Sequence, residues 1–458
     1  MRLAVIPVAM ALLGSCNIYK KFELPTEESQ LIAAYSQAKQ EAMDSTAFGN
    51  LDWRMVFTDP MLADLIEQAL ANNLDLENAR LNVDIAQAQL KGARLSFLPS
   101  ISLAPNGALA KYFVEDASWA KTYQLPINVS WEIDLFGKLL NGKRGAESNL
   151  LRTQAYQQAV RSQVISAVAS CYYTIAAIKS QIALSNETAE SWLASVEVMK
   201  NLKEAGRVTE AAVVQSQAQY YSIRASITDL ETALTKANNS MSLLLNVMPQ
   251  SYNVSPTAML TMPAELKDAI PLSQLAARPD VAAAEQNLAV AYYATNQARA
   301  AFYPSLNITA NGGFTNLVGS LITNPGKWFI NLAASLVAPL FARGQLISGL
   351  EAAKASQAQA LNNFETTVLS AASEVSNAMT VYANTKEKEK YLIMQAENLT
   401  KSVDYTTELL SIGGYGTTYL EVLTAQQNLL SAQLAEISCR EAAALAVINL
   451  YQSLGGGR

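Results

Sequence analysis

Side chains that commonly carry out chemistry are scarce in this chain of 458 residues, which has no histidine and three cysteines. Without histidine there is no imidazole base for a serine or cysteine nucleophile and no histidine-containing zinc site. Closely spaced cysteine pairs and a glycine-rich phosphate loop are also missing. Cys171 and Cys439 lie in helical patterns and are expected to be small buried thiols. The sequence therefore argues against an enzyme, and we expect neither a cofactor nor a metal.

Cys16 has different surroundings. It follows a short basic start, Met1-Arg2, an apolar run at 3–13 that is too short to span a membrane, and Gly14-Ser15. This order is typical of a secretory signal and resembles a bacterial lipoprotein signal, in which the cysteine is lipidated. Residues 1–15 are thus a predicted signal peptide and Cys16 a predicted lipidation site. The alternative is an ordinary signal peptide whose cleavage site happens to precede a cysteine.

Charge and hydropathy exclude two further classes. The net charge of −6 gives no support for nucleic-acid binding, which needs a basic face. Half of the residues are apolar (50%), yet the longest uncharged stretch, 300–326, is interrupted by Pro304 and Gly312-Gly313. It therefore fails the requirement of about 20 mainly apolar residues for a membrane-spanning helix.

The chain is organised around a repeat. The segment 298–305 (Ala-Arg-Ala-Ala-Phe-Tyr-Pro-Ser) repeats the segment 93–100 (Ala-Arg-Leu-Ser-Phe-Leu-Pro-Ser), 205 positions later. In both copies a helical pattern runs into a proline, which stops a helix and favours extended structure before it. We therefore interpret the chain as one unit written twice, in which a long helix turns into a strand.

Each copy continues with residues that alternate between apolar and polar. Apolar side chains occupy every second position from Tyr123 to Leu135, and again at 306–314 and 328–340. Strict alternation predicts strands with one apolar and one polar face. Aromatic residues such as Trp131 and Trp328 gather near the strand ends, like the interfacial girdles of membrane barrels. A soluble sandwich has the same alternation, but two hairpins in a mainly helical chain make a poor sandwich.

The positions of proline and glycine set the predicted segments. An arm at 16–59 is expected to lie over the rest. Repeat one is predicted at 60–248, with strands at about 99–136 and helices at about 61–97, 146–205 and 210–247. A proline-rich linker at 249–279 precedes repeat two at 280–454, with strands at about 304–340 and helices at about 280–302, 345–411 and 417–454. Residues 455–458 remain as a tail.

Four strands per chain cannot close a barrel in lipid, where open edges are not tolerated and known barrels begin at about eight strands. The chain is therefore expected to associate. Two copies would form a narrow barrel filled by side chains, whereas three would form a barrel of about twelve strands with room for a lumen. The helices would then form a tube on one side of the membrane.

Several short motifs occur in a specific order over nearly the whole mature chain. After Cys16 they are Trp131-Glu132-Ile133-Asp134-Leu135-Phe136-Gly137, Arg278-Pro279-Asp280, Ala298-Arg299 with Phe302-Tyr303-Pro304-Ser305, and Tyr419-Leu420-Glu421-Val422-Leu423-Thr424-Ala425-Gln426. With the duplication, they resemble the TolC-like outer-membrane efflux proteins, in the lipoprotein branch of that family. Independently of the resemblance, Asp280 is expected to start a helix at the positive end of its dipole.

The resemblance implies a fold class and an assembly. The fold is mainly helical with a membrane β-barrel contribution, built from a duplicated unit of β-hairpin plus long antiparallel helical hairpin. Three chains would form a trimeric α-barrel/β-barrel channel. The implied partners are a periplasmic adaptor, an inner-membrane pump of the resistance-nodulation-division type and outer-membrane lipid. The implied function is passive export across the outer membrane; a lipid-anchored coiled-coil tether without a pore is the alternative.

The helix breaks would lie at the end of the tube that is far from the barrel, since each is one long helix away from its strands. The breaks are at Gly206 in repeat one and at Gly413, Gly414 and Gly416 in repeat two. Residues just past them are expected to rim the periplasmic entrance. These residues are Thr209 and Glu210 in repeat one, and Thr417, Thr418, Tyr419, Leu420 and Glu421 in repeat two.

Glu421 is the candidate for selectivity at this entrance. Related channels often carry two acids in a motif like Asp-Val-Leu-Asp, whereas this chain has Glu421-Val422-Leu423-Thr424 and lacks the second acid. In a trimer, Glu421 would form a ring of negative charge that attracts cations and binds divalent ions. The alternative is a solvated residue on a helix surface.

Overall fold

The computed structural model describes residues 20–27, 29–41, 52–111, 119–254, 278–318, 321–411 and 418–457. Cys16, Gly413, Gly414, Gly416 and Thr417 lie outside these residues, as does the predicted signal peptide. Across the described ranges, every helix is either too short or too polar to cross a membrane.

Nine helices and five strands are found in the described part of the chain. The helices are α1 (Gln30–Glu41), α2 (Trp53–Val56), α3 (Pro60–Asn72), α4 (Leu74–Leu95), α5 (Lys138–Glu204), α6 (Glu210–Leu244), α7 (Pro279–Ala300), α8 (Gln345–Ser411) and α9 (Tyr419–Ser453). The strands are β1 (Ser100–Leu103), β2 (Asn106–Ala110), β3 (Ala120–Ile133), β4 (Ser305–Val318) and β5 (Leu321–Val337). The duplication is visible in helix length, because α5 and α8 both have 67 residues and α6 and α9 both have 35.

The prediction of a single helix at 61–97 is wrong. It is two helices, α3 and α4, separated by Asn73 in an extended conformation. The Asn73 side-chain oxygen accepts hydrogen bonds from the backbone N–H groups of Asp75 (3.0 Å) and Leu76 (3.1 Å). Asn73 thus caps the start of α4, as asparagine commonly does, and the chain turns there.

Two further boundaries differ from the prediction. The first long helix starts at Lys138 rather than near residue 146. The first strand limb is broken into β1 and β2 around Pro105, which has no N–H to donate to the neighbouring strand.

The five strands occupy four positions in one antiparallel sheet. β1 and β2 pair with successive parts of β3, β3 pairs with β4, and β4 pairs with β5. The β3–β4 ladder joins the hairpins of the two repeats. Close approach at this ladder requires glycine at position 313, where a Cβ would lie 2.0 Å from the Leu125 carbonyl oxygen.

The register gives the sheet two chemically different faces. On one face Ile127 lies opposite Gly312, and Gly312 lies opposite Ile330. On the other face Asn128 lies opposite Asn311, and Asn311 lies opposite Asn331. Matching registers therefore extend the apolar and polar alternation of single strands across the whole sheet.

The described residues group into two compact units. One unit comprises 81–155, 282–366 and the described residues before 30, and contains the sheet. In it, the Phe22 backbone N–H donates to the Tyr293 hydroxyl at 3.0 Å, so part of the predicted arm contacts α7.

The second unit comprises 30–80, 156–281 and 367–458. Its apolar core is built by side chains from α2, α3, α5, α6 and α9, among them Trp53, Leu62, Ile66, Val168, Tyr172, Met241, Ile448 and Tyr451. Asp59 fixes α3 to this core: one carboxylate oxygen accepts from the Met61 N–H at 2.8 Å and the other from the Tyr172 hydroxyl at 2.6 Å.

Candidate functional surfaces

The apolar face of the sheet is exposed to an unusual degree. Trp328 and Ile330 are 81% and 82% exposed, and Leu332 is 73% exposed. Contiguous exposed apolar surface of this kind marks contact with a membrane or another protein. At one end of the sheet the Trp131 indole N–H donates to the Phe97 carbonyl at 2.9 Å, which holds the ring at the junction of helix and strand.

Both outer edges of the sheet are open in the described chain. β5 pairs on one side with β4, and β1 and β2 pair on one side with β3. The remaining N–H and C=O groups of these edge strands need partners, most of all where water is absent. The arrangement can therefore extend its sheet by association with further strands.

The turn between α5 and α6 is closed by Gly206, whose φ is +70°. Its N–H donates to the Lys203 carbonyl and the Arg207 N–H donates to the Leu202 carbonyl, both at 2.8 Å. This is a Schellman ending, in which glycine avoids the steric cost of a left-handed conformation.

Beyond the turn, Glu210 forms an ion pair with Lys203, and both side chains are about half exposed. Thr209 is exposed at the N-cap of α6 and makes no side-chain capping bond.

Glu421 and Thr418 are exposed at the start of α9. Thr418 is the N-cap, and its carbonyl accepts from the Glu421 N–H at 3.0 Å. The Glu421 carboxylate forms no ion pair within the described ranges, so it differs from Glu210. Thr424, at the position of the missing acid, donates its hydroxyl to the Leu420 carbonyl at 2.8 Å. Among the described residues, acids and cysteines form no group of three or more that could hold a metal ion.

Tyr419 differs from its neighbours because it packs inward. It contacts an apolar cluster to which α5 contributes Trp192, α6 contributes Ile223 and α9 contributes Leu423. Burial raises the pKa of Tyr419, while the Ser195 and Ser216 hydroxyls act to lower it. The Tyr419 hydroxyl and the Trp192 indole N–H are buried without a hydrogen bond of normal geometry in the described chain. The sequence analysis did not predict this cluster. Trp192, a tryptophan within a helical pattern, is the residue that could have indicated it.

Arg278, in the Arg278-Pro279-Asp280 motif, is buried and has several hydrogen-bond partners. Its side chain is 7% exposed and binds Asp280 with two hydrogen bonds of 3.0 and 2.7 Å. It also donates to the Glu374 carboxylate and to the Ser453 carbonyl, both at 2.7 Å. A cavity of about 600 Å³ adjoins it. Asp280 accepts from the Val281 N–H at 2.9 Å, in agreement with its expected role at the start of a helix.

The two cysteines in the described chain are poor nucleophiles. Burial raises the pKa of the Cys171 thiol to about 11 and also raises that of Cys439. Their sulfur atoms lie 3.2 Å from the Ala237 carbonyl and 3.5 Å from the Thr385 carbonyl, respectively. Reactive cysteines need the opposite shift, towards the thiolate.

Comparison with known proteins gives a consistent result. The family model described as outer membrane efflux protein matches residues 65–247 and 271–456. Cation efflux system protein CusC of Escherichia coli (strain K12) is 27% identical over 456 residues, covering 98% of this chain and 98% of that protein. Probable outer membrane lipoprotein SilC of Salmonella typhimurium is 25% identical over 465 residues, covering 100% and 99%. A CusC crystal structure, from work on folding and transmembrane channel formation, has a TM-score of 0.82 at 26% identity, covering 89% of this chain and 95% of that one.

Proposed function

Because the chain belongs to the outer membrane efflux protein family, we propose that it is the outer-membrane channel of a tripartite efflux system. It is a passive conduit and performs no catalysis. Small molecules reach it from an inner-membrane pump and a periplasmic adaptor, and leave the cell through it. The energy for transport comes from the pump.

The observation that carries this proposal is the sheet with two faces and two open edges. Its apolar face, with Trp328 and Ile330, suits lipid, and its face with Asn128 and Asn311 suits a water-filled lumen. A tether without a pore would need neither the polar face nor the strand edges.

Three copies are the proposed assembly. Four strand positions per chain would then give a barrel of about twelve strands, wide enough for a lumen, whereas two copies would give one of about eight that side chains fill. Joining β5 of one copy to β1 and β2 of the next would satisfy both open edges. The α5–α6 and α8–α9 hairpins of three copies would form the tube in the periplasm.

Outer-membrane lipid and a lipid anchor are part of the proposal. Cys16 would become the first residue of the mature chain and carry lipid on its sulfur; a relative named as an outer membrane lipoprotein supports this expectation. Several acyl chains on one residue anchor a protein firmly, where a single chain would not. The intact mass of the purified protein tests this, and an unmodified chain that starts at another residue would refute it.

The helix breaks at Gly206 and at Gly413, Gly414 and Gly416 are proposed to face the adaptor and a pump of the resistance-nodulation-division type. Thr209, Glu210, Thr417, Thr418 and Glu421 would rim the entrance there. Exposure of Thr418 and Glu421 supports this placement. Tyr419 would instead pack beneath the rim, since its side chain contacts the cluster that contains Trp192.

Single-channel recording in a planar bilayer tests the proposed function directly. The purified protein should insert and give ohmic steps of uniform size, and crosslinking in native membranes should give three copies. A stable monomer with full conductance would refute the trimer, and a lipid-anchored protein that never conducts would favour the tether.

Tryptophan quenching by brominated lipid tests the lipid-facing side of the sheet. Trp328→Phe should remove a large share of the quenchable fluorescence, because Trp328 is 81% exposed on the apolar face. Trp192→Phe is the matched control, since Trp192 is buried between helices. Equal losses of quenching in both variants would contradict the proposed orientation.

A further inference from the structure

Asn73 and Arg278 occupy equivalent positions in the duplication. Arg278 falls in the predicted linker, 249–279, but the structure connects it with the repeat-two helices α7, α8 and α9. Asn73 immediately precedes α4 and Arg278 immediately precedes α7, and they are separated by the same 205 positions as the repeated helix–strand junction. Both are buried polar residues, 7% and 5% exposed.

Each of these residues donates to the last helical carbonyl of the second long helix in its own repeat. The Asn73 side-chain N–H donates to the carbonyl of Leu244, the last residue of α6, at 3.0 Å. The Arg278 guanidinium donates to the carbonyl of Ser453, the last residue of α9, at 2.7 Å.

The local endings explain why those two carbonyls need a donor. After α6 the Asn246 N–H donates to Leu243 and the Val247 N–H donates to Ser242. After α9 the Gly455 N–H donates to Gln452 and the Gly456 N–H donates to Tyr451. These Schellman bonds satisfy the carbonyls of the two preceding turn residues and leave that of the final helical residue open. Asn73 and Arg278 supply the missing donors.

We call the hydrogen bonds of Asn73 and those of Arg278 the Asn73 joint and the Arg278 joint. The two joints differ in charge and in the number of helices that they connect. Asn73 is neutral and links the end of α6 to the start of α4. Arg278 links the end of α9 to Asp280 at the start of α7, and also binds Glu374 in the middle of α8. Counted from the first residue of each long helix, Glu374 in α8 corresponds to Ala167 in α5, which cannot make such a bond.

We propose that Asn73 and Arg278 are paired positioning residues. Each fixes the angle between the end of one helix, α6 or α9, and the start of another, α4 or α7. Only the Arg278 joint also holds the first long helix of its repeat, α8. The Arg278 joint therefore connects three helices, α7, α8 and α9, whereas the Asn73 joint connects two, α4 and α6. In the conduit, a role that rests on the proposed function, the Arg278 joint sets the resting angle of the α8–α9 hairpin and so the resting width of the lumen.

Hydrogen–deuterium exchange on the full-length assembled protein tests the joints without reference to transport. Arg278→Ala should speed amide exchange by about tenfold at 453–456 and in the first turn of α7, because these ends fray when a joint is lost. Asn73→Ala should do the same at 244–247 and in the first turn of α4. Each variant should leave the other joint unchanged, whereas faster exchange at both joints, or at neither, would overturn the proposal.

Two conservative variants keep the test decisive if Arg278→Ala does not assemble. Glu374→Gln replaces a half-exposed carboxylate and should loosen α8 while leaving exchange at 453–456 nearly unchanged. Arg278→Lys keeps the positive charge but loses the planar guanidinium, whose N–H groups donate to several acceptors at once. It should give an intermediate rise in exchange at 453–456. If Glu374→Gln changes nothing in α8, the third link of the joint is refuted.

Channel recordings supply the functional readout. Glu374→Gln trimers should show more frequent transitions to partial conductance levels than wild type, while Glu231→Gln on α6 should not. Wild-type current statistics in Glu374→Gln would refute the role in lumen width. A wild-type protein that conducts no current would refute the proposed function. The hydrogen–deuterium exchange results would still decide whether the two joints exist.

Discussion

The ring of Phe136 stacks on the ring of Tyr303, with centroids 4.9 Å apart and planes 15° from parallel. Phe136 follows β3 and Tyr303 precedes β4, so the stack lies just beyond the last pair of the β3–β4 ladder, Ile133 with Leu306. It joins the strand–helix junctions of the two repeats at the point where backbone hydrogen bonding between them stops.

Loss of this stack should weaken the contact between the repeats. Phe136→Leu and Tyr303→Leu should each lower thermal stability, and a double-mutant cycle should give a coupling of about 0.5–1.5 kcal/mol. Phe341→Leu is the matched control, because Phe341 is the repeat-two counterpart of Phe136 and is 86% exposed. A Tyr303→Leu effect of the same size with and without Phe136 would contradict the coupling.

Gly206→Ala should destabilise the turn between α5 and α6. The φ of +70° at Gly206 costs a residue with a Cβ about 1–2 kcal/mol. Gly92→Ala should do the reverse, by about 0.5–1 kcal/mol, since Gly92 is inside α4 and an added Cβ would meet no atom within 4 Å. Melting temperatures in detergent measure both changes, and two shifts of the same sign would contradict the argument.

Charge at the start of α9 should govern ion selectivity. Glu421→Gln should reduce cation selectivity and any block by divalent ions, because the proposed ring of three carboxylates would lose its charge. Thr424→Asp should increase both, because it adds a second acid three residues after Glu421. Glu231→Gln, an exposed carboxylate in α6, is the control. Reversal potentials in salt gradients and recordings with graded calcium decide it; identical values for wild type and Glu421→Gln would place Glu421 away from the pore.

Glu441→Gln should stabilise the folded protein at neutral pH. Burial raises the pKa of Glu441, while the hydrogen bond from the Thr174 hydroxyl acts to lower it. A carboxyl group whose folded pKa is raised stabilises the fold when protonated, and this contribution is lost as pH rises through that pKa. Glutamine keeps an acceptor for Thr174 without the charge.

The melting temperature of Glu441→Gln should therefore exceed that of wild type at pH 7. The difference should disappear below about pH 4, where the carboxyl group is protonated in both folded and unfolded states. Glu397→Gln, at an exposed position of α8, serves as the comparison and should show no gain at pH 7. A wild type more stable than Glu441→Gln at pH 7 would contradict the sign.

Local patterns in the sequence determined the duplicated architecture and the two faces of the sheet. Alternation places side chains on one face or the other irrespective of partners, so the positions of Ile127 and Asn128 on opposite faces needed no tertiary information. The turn at Gly206 was equally local, because a glycine that interrupts a long helical pattern commonly marks a left-handed ending.

Tertiary structure alone decided which polar residues are joints and which are surface. Arg278 stands in a recognisable motif, but Glu374 and Ser453, its partners, are distant along the chain and no periodicity predicts them. The helical pattern predicts Asn73 inside one helix, whereas the structure places it between α3 and α4 in contact with Leu244. Tyr419 and Glu421 are two residues apart, yet one packs against the cluster that contains Trp192 and the other is exposed. Packing between helices determines these outcomes, because burial and hydrogen-bond partners depend on atoms that only folding brings together.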